Sequence, residues 1–253
     1  MYYIYKQDNL ELMKSLPDNH INLIYCDILY GTGRNFGDYQ DLKADRKIIE
    51  EHYISRITEM KRVLKDDGNI YIHCDNKIVH WIRCIMDDIF GYDRFINEII
   101  WWYNSAPRKK GHFASRHDNI LRYSKTKNFY FDEECEEIRV EYSPSAPRGY
   151  EKEHYYNPKG KIMDDVWRLW MIGQNDKTER VGYLTQKPKK VIKPIILSSC
   201  PKDGLVADFY MGSGTTGEVA LENGRNFIGC DIGEKAFDVT SKRLEKYDKT
   251  SLL

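Results

Sequence analysis

"LVADFYMGSGTTGEVALENGRNFIGCDI", residues 205–232, decides the fold of this chain. A short apolar run ends in Asp208. A turn of small residues follows, a helix begins near Thr215, and a second apolar run ends in Asp231. Glycines in such a turn let the backbone approach a ligand, and the start of the helix presents free N–H groups. A carboxylate at the end of the next strand, roughly twenty residues on, can accept hydrogen bonds from two ribose hydroxyls. "GSGTT" (212–216) has no lysine after its last glycine, which disfavours a nucleotide triphosphate. The unit points to a nucleoside-bearing cofactor.

The same rhythm runs through the rest of the chain. "INLIYCD" (21–27), "NIYIHCD" (69–75) and "FINEIIWWYN" (95–104) read as strands. Between the first two, residues 47–64 place Ile49, Tyr53, Ile57, Met60 and Leu64 at helical spacing, and "KDDG" (65–68) reads as a turn. Residues 77–90 read as another helix. Strands alternating with helices predict an α/β fold, a mostly parallel sheet with helices on both faces.

The chain has 253 residues, which suits one larger α/β domain or one domain with an inserted module. Thirty-nine basic and 39 acidic side chains cancel, so only local patches can speak for a polyanionic partner. The cysteines Cys26, Cys74, Cys84, Cys135, Cys200 and Cys230 form no C-x-x-C pair, and several lie in apolar runs. They read as reduced, mostly buried thiols, with no metal site. The N-terminus lacks a basic-then-apolar signal, and no apolar run approaches a membrane span. A cytoplasmic protein is expected.

Residues 104–184 break the rhythm, with half of the prolines and many tyrosines. Within 104–129, Arg108, Lys109, Lys110, Arg116, Arg122, Lys125 and Lys127 face one acid, Asp118. They adjoin Trp101, Trp102, Tyr103 and Phe113, the mixture a polyanion-binding surface needs. "DEECEE" (132–137) reads as solvated charge, and 142–161 as an exposed loop. A second informative stretch is "YCDILYGTGRNF" (25–36). Its apolar strand ends in Asp27, then Ile28, Leu29 and Tyr30.

Together, "DILYGTG", "TQKPKKVIKPIILSSC", "DFYMGSGTTGEVALENGRNFIGCDI" and the closing "RL" resemble the amino-group DNA methyltransferases. These methylate N6 of adenine or N4 of cytosine with S-adenosylmethionine, on a Rossmann-like methyltransferase fold. The order, with the Asp-x-x-Tyr segment first and the glycine turn last, resembles the permuted β class. The resemblance covers nearly the whole chain. It implies a catalytic and cofactor-binding domain of 1–103 and 185–253, and a target-recognition region of 104–184.

The resemblance also implies roles. Asp27, Ile28, Leu29 and Tyr30 match the family's Asp-Pro-Pro-Tyr. Asp27 and the Ile28 carbonyl would accept the protons of the target amine, and Tyr30 would stack on the extruded base. Asp208, Tyr210, Gly212, Ser213 and Gly214 would wrap the methionine end of the cofactor, Thr215 and Thr216 would open the helix, and Asp231 would hold the ribose. Asp8 would lie near the adenine, and Thr185, Gln186, Lys187 and Pro188 match a cofactor-side motif. Arg34, Arg108, Lys109, Lys110, Arg116 and His117 are candidates for contacts with double-stranded DNA. No metal is implied. Homodimers occur in the class, and a partner restriction endonuclease would belong to such a system.

Three departures stand out. Ile28 and Leu29 replace both prolines, and Phe209 stands where proline is frequent. The missing prolines predict a looser loop and two additional N–H groups in need of partners. Aspartate at the first motif position goes mostly with adenine in the family, so N6-adenine methylation is the expected activity. N4-cytosine methylation, or a catalytically weak DNA-binding protein that keeps the fold, is the alternative.

Overall fold

The computed structural model describes residues 1–104, 108, 110–142 and 157–247. Alternation of apolar strands and amphipathic helices builds an 8-stranded sheet. In chain order the elements begin with β1 (Tyr2–Lys6), α1 (Asn9–Ser15), β2 (Ile21–Asp27), α2 (Arg46–Val63) and β3 (Leu64–Asp75). Next come α3 (Val79–Phe90), β4 (Phe95–Trp102) and β5 (His117–Ser124). The short strands β6 (Arg139–Val140) and β7 (Lys161–Ile162) pair with each other, and β8 (Val166–Arg168) joins the main sheet. The chain then continues through α4 (Lys189–Ser199), β9 (Leu205–Asp208), α5 (Thr215–Glu222), β10 (Asn226–Asp231) and α6 (Glu234–Leu244).

The strand order is β1-β10-β9-β2-β3-β5-β4-β8. Every neighbouring pair is parallel except those made by β5, which runs against both β3 and β4. Side chains alternate across the sheet as strand geometry requires. Ile70, Ile72 and Cys74 of β3 pack with α1, α2 and α3, whereas Tyr71 faces the side covered by Val191, Ile192 and Ile195 of α4. The expected α/β sheet with helices on both faces is what the chain forms.

Three local details differ from the expectation. "KDDG" is not a free turn. Ile21 pairs with Leu64 and Leu23 with Asn69, so residues 65–68 bulge out within β3. β1 is too short and too mixed in polarity to stand out in the sequence, yet it pairs with β10 along its length. Residues 117–124, inside the span expected to be target recognition, form a fully integrated strand of the sheet. No helix among the described residues is long and apolar enough to cross a membrane.

Candidate active site

The parallel strands finish at one edge of the sheet, and four of them finish in carboxylates; Asp75 closes β3, and the other three line one cavity. Asp27 closes β2, Asp208 closes β9 and Asp231 closes β10. Asp8 follows β1 and caps α1, accepting from the Leu10 N–H at 2.8 Å. A cavity of about 180 Å³ opens among Asp8, Asp27, Asp208 and Asp231. Ligands bind at the carboxyl ends of strands in open α/β sheets, because helix starts and loops converge there.

The glycine turn forms the floor on one side. Gly214 has φ +70° and caps α5 in the left-handed region that glycine adopts without strain. A Cβ at Gly214 would stand 2.7 Å from Thr240 Oγ1. Thr240 in turn donates to the Gly212 carbonyl at 2.9 Å, and Arg243 donates to the Ser213 carbonyl at 3.0 Å. Thr215 accepts from Arg243, and Thr216 donates to Asp208 Oδ2 at 2.6 Å. Asp208 also accepts from the Tyr210 N–H at 3.0 Å. Burial pushes its carboxyl up to about 7, against the lowering effect of these two donors, and the nearby Asp27 and Asp231 add to the rise. Asp231 accepts from the N–H groups of Gly212 and Gly233, at 3.0 and 2.9 Å. Burial raises its carboxyl as well.

Phe209, the residue in place of the family's frequent proline, is buried. Its N–H donates to Cys26 Sγ at 3.4 Å, and its carbonyl accepts from Cys230 Sγ at 3.8 Å and from Asn9 at 3.0 Å. All six cysteines are free thiols, and Cys84 is the exposed one.

Asp27 lies across the cavity. Its Oδ2 accepts from Lys187 Nζ at 2.6 Å, and the same ammonium stands 4.7 Å from the centre of the Tyr30 ring. The Tyr30 hydroxyl is 2.9 Å from Asp27 Oδ1 and 2.9 Å from Asp118 Oδ2. Asp118 reaches this edge because β5 runs backwards. Its start, not its end, lies beside the end of β3, with Asp118 opposite Asp75. Tyr103 donates to Asp118 Oδ1 at 2.9 Å, and His73 Nε2 approaches Oδ2 at 3.2 Å. Tyr25 bonds the other ring nitrogen of His73 at 2.8 Å. Burial acts upward on the Asp118 carboxyl, but the bond and charge of His73, with Lys187 and Tyr30, pull it down to about 2.

The loop that carries Ile28 and Leu29 is tied down without prolines. The Ile28 N–H donates to the His73 carbonyl at 3.0 Å, and its side chain is buried in the core. The Leu29 carbonyl accepts from the Tyr53 hydroxyl at 3.1 Å. Asp41 receives the N–H groups of Gly31 and Thr32, at 3.2 and 2.7 Å. One of the two expected additional donors, that of Ile28, therefore has its partner.

Most of the expected cofactor residues meet in this one cavity: Asp8, Asp27, Thr185, Lys187, Asp208, Tyr210, Gly212, Ser213, Thr215, Thr216 and Asp231 all line it. Pro188 and Gly214 serve as helix caps. Gln186 braces the approach to Lys187, donating to the Glu179 carbonyl at 2.7 Å. Asp8 is also engaged by Arg56 at 2.8 Å. The sequence reading missed Phe36, Tyr39, Asp41, His52, Arg56 and Tyr183 on the walls, and Asp118, His73 and Tyr103 behind Tyr30.

The expected DNA contacts are more scattered. Arg34, Arg108 and Lys110 are exposed, and Arg116 and His117 are half-buried at the start of β5. Lys109 lies outside the described residues. Two members of the basic run are not surface charges at all. Arg122 is buried, 4.3 Å from the Phe131 ring centre and hydrogen-bonded to Asn69 at 3.1 Å. Lys125 folds back onto the Leu64 carbonyl at 2.6 Å.

A family model described as DNA methylase, for N6 and N4 methylation, matches residues 21–242. The chain belongs to this family. Among relatives of the methylase, the type II methyltransferase M.HpaI of Haemophilus parainfluenzae is 30% identical over 237 residues, covering 93% of this chain and 72% of that protein. The DNA adenine methyltransferase YhdJ of Escherichia coli is 29% identical, covering 94% and 81%. Among solved structures, the cytosine-N4-specific PvuII DNA methyltransferase superposes with a TM-score of 0.71 at 16% identity, covering 100% of the methylase and 88% of that chain. M1.HpyAVI, solved as a complex with SAM, gives 0.63 at 20% identity, covering 96% and 99%. At these identities the structural likeness speaks for the fold of the methylase.

Proposed function

We propose that this methylase transfers a methyl group from S-adenosylmethionine to the exocyclic N6 of an adenine in duplex DNA, within a specific sequence. The observation that carries the reading is the pairing of Asp27 with Tyr30 at the mouth of a cavity that also holds Asp208 and Asp231.

The residues fit the cofactor. Its sulfonium and ammonium are cations, and the cavity gathers five carboxyl groups, Asp8, Asp27, Asp41, Asp208 and Asp231. Its ribose presents two hydroxyls, and Asp231 stands at the end of the strand beside the glycine turn, where such a diol is held. Its adenine needs apolar and aromatic walls, which Phe36, Tyr39, Tyr183 and Ile232 supply. When bound, the cofactor supplies the methyl group.

The chain's own residues do the rest. An exocyclic amine conjugated with its ring is a poor nucleophile. Acceptors placed on its hydrogens favour a pyramidal nitrogen and stabilise the positive charge it develops. Asp27 and the Ile28 carbonyl are those acceptors, and Tyr30 supplies the stacking face. Extrusion of the base costs roughly a few kcal/mol, and aromatic stacking returns about 1–3 kcal/mol. Adenine is favoured over cytosine by the aspartate at position 27.

Residues 104–184 supply the target recognition, with His117 at the start of β5. Arg34, Arg108, Lys109, Lys110, Arg116 and His117 contact DNA, with the arginines better suited to read guanine edges. Several relatives are named as type II methyltransferases, which favours a restriction–modification setting. The test is methyl transfer from labelled S-adenosylmethionine to unmethylated genomic DNA, with Asp27→Ala as control. Label found in N6-methyladenine and lost in the control is the expected result. Label in N4-methylcytosine would replace the base assignment, and no label would remove the enzymatic reading.

A further inference from the structure

A hydroxyl carries one proton, yet the Tyr30 hydroxyl sits 2.9 Å from two carboxylates, Asp27 Oδ1 and Asp118 Oδ2. It can donate to one of them at a time. Where the proton goes matters. If it goes to Asp27, that oxygen is occupied on one side by Tyr30, while Oδ2 is occupied by Lys187. If it goes to Asp118, Asp27 Oδ1 is free to accept from an incoming amine.

Asp118 is built to take it. Its side chain is buried, and its two oxygens also receive Tyr103 and His73. A carboxylate only accepts, so His73 Nε2–H donates to Asp118 while Tyr25 bonds the other ring nitrogen. The Asp118 carboxyl, brought down to about 2 against burial by the bond and charge of His73 and by Lys187 and Tyr30, remains an acceptor at neutral pH. The strand that carries it, β5, contributes only His117 to the reading above. Its reversed direction alone brings Asp118 behind Tyr30.

We propose that Asp118 is a positioning residue: it accepts the hydrogen bond of the Tyr30 hydroxyl, which fixes the Tyr30 ring and leaves Asp27 Oδ1 open to the target amine. This restraint stands where the two family prolines are missing, and it rests on the reading of Tyr30 as the base-stacking ring. With Asp118 holding the tip of Tyr30 and Asp41, His73 and Tyr53 holding the neighbouring backbone, a loop of ordinary residues keeps a fixed shape.

The test is a double-mutant cycle of Asp118→Asn and Tyr30→Phe, read in two ways. Single-turnover methyl transfer is expected to fall about a hundredfold in Asp118→Asn, as for a misplacement near the chemistry, while cofactor affinity and KM for DNA stay within about threefold. In the Tyr30→Phe background the same substitution should change nothing, because there is no hydroxyl to hold. Effects of the two substitutions that multiply would overturn the proposal. Asp118→Glu, which restores the carboxylate, should recover part of the rate.

Hydrogen exchange of the amides of residues 28–33 gives the second readout. It should quicken in Asp118→Asn and in Tyr30→Phe, and no further in the double variant; unchanged exchange would overturn the pin. If Asp118→Asn does not fold, Tyr30→Phe removes the same hydroxyl and carries the exchange test alone. A wild-type protein that transfers no methyl group would remove the functional reading, and the exchange measurement would still decide the pin.

Discussion

Lys187 and Asp27 form an ion pair at 2.6 Å in which both side chains are mostly buried, 10% and 20% exposed. They are 160 residues apart in sequence. The pair joins the segment before α4 to the end of β2, and it sets the ammonium over the Tyr30 ring.

Lys187→Met should therefore lower both stability and turnover. Losing a hydrogen bond to a charged partner destabilises by about 1.5–3 kcal/mol, and the uncompensated Asp27 adds to that. Urea unfolding measures the first effect. The initial rate of methyl transfer measures the second, with a loss of more than about tenfold expected from misplaced catalytic geometry. A variant as stable and as fast as wild type would show the pair to be incidental.

The loop prolines should not be interchangeable with the residues present. Ile28→Pro removes the N–H that bonds the His73 carbonyl and empties a core position, so it should destabilise by about 2–4 kcal/mol. The Leu29 N–H has no hydrogen-bond partner among the described residues. Leu29→Pro should stay within about 1 kcal/mol of wild type if its backbone already suits proline. Restoring both prolines should thus slow single-turnover transfer. Faster transfer would mean that the loop of the native sequence is the slack one.

Gly214→Ala should damage the cofactor turn. An L-residue in the left-handed region costs about 1–2 kcal/mol, and the new Cβ would collide with Thr240. S-adenosylmethionine affinity, measured by calorimetry, is expected to fall at least about tenfold, since 1.4 kcal/mol corresponds to that factor.

Two buried carboxyls should shape the pH dependence of stability in opposite ways. Asp208 is held at about 7, above its unfolded value of 3.8. The folded protein keeps that proton while the unfolded chain loses it, so stability falls as pH rises from about 4 to 7, by at most about 4 kcal/mol. Glu218 meets Lys189, Arg243 and Lys246 at 2.8, 2.6 and 2.7 Å. Burial raises its carboxyl, but the three cations outweigh that and bring it to about 2. Its contribution is present above about pH 4.5 and fades as pH falls towards 2. Denaturation across pH should show the upper slope flattened in Asp208→Asn and the lower one flattened in Glu218→Gln.

The parts of the site that were legible in the sequence are local. Asp27, Tyr30, the glycine turn and Asp231 each lie where a strand runs out, and a strand's end is visible as a change from apolar to small and acidic residues. What escaped is what only topology brings together. Asp118 sits 88 residues from Tyr30, on the one reversed strand, and its sole signal was to be the lone acid in a basic run. Arg122 was misread because a buried arginine stacked on aromatic rings looks, in one dimension, like a surface charge beside them. "KDDG" was misread because a bulge and a turn use the same residues. The walls formed by Phe36, Tyr39 and Tyr183 come from irregular segments, which carry no periodicity to read.

Phe209 is clasped by two thiols, Cys26 and Cys230, at the root of the glycine turn. That makes the protein its own stopwatch. Cys84 should react with a thiol reagent at once, while Cys26 and Cys230 can react only when the sheet edge parts. Their labelling rate therefore clocks how often the site breathes, with reporters the sequence already carries. Cofactor that clamps the turn should slow that clock, and a ligand that does not reach it should leave it running at its native pace.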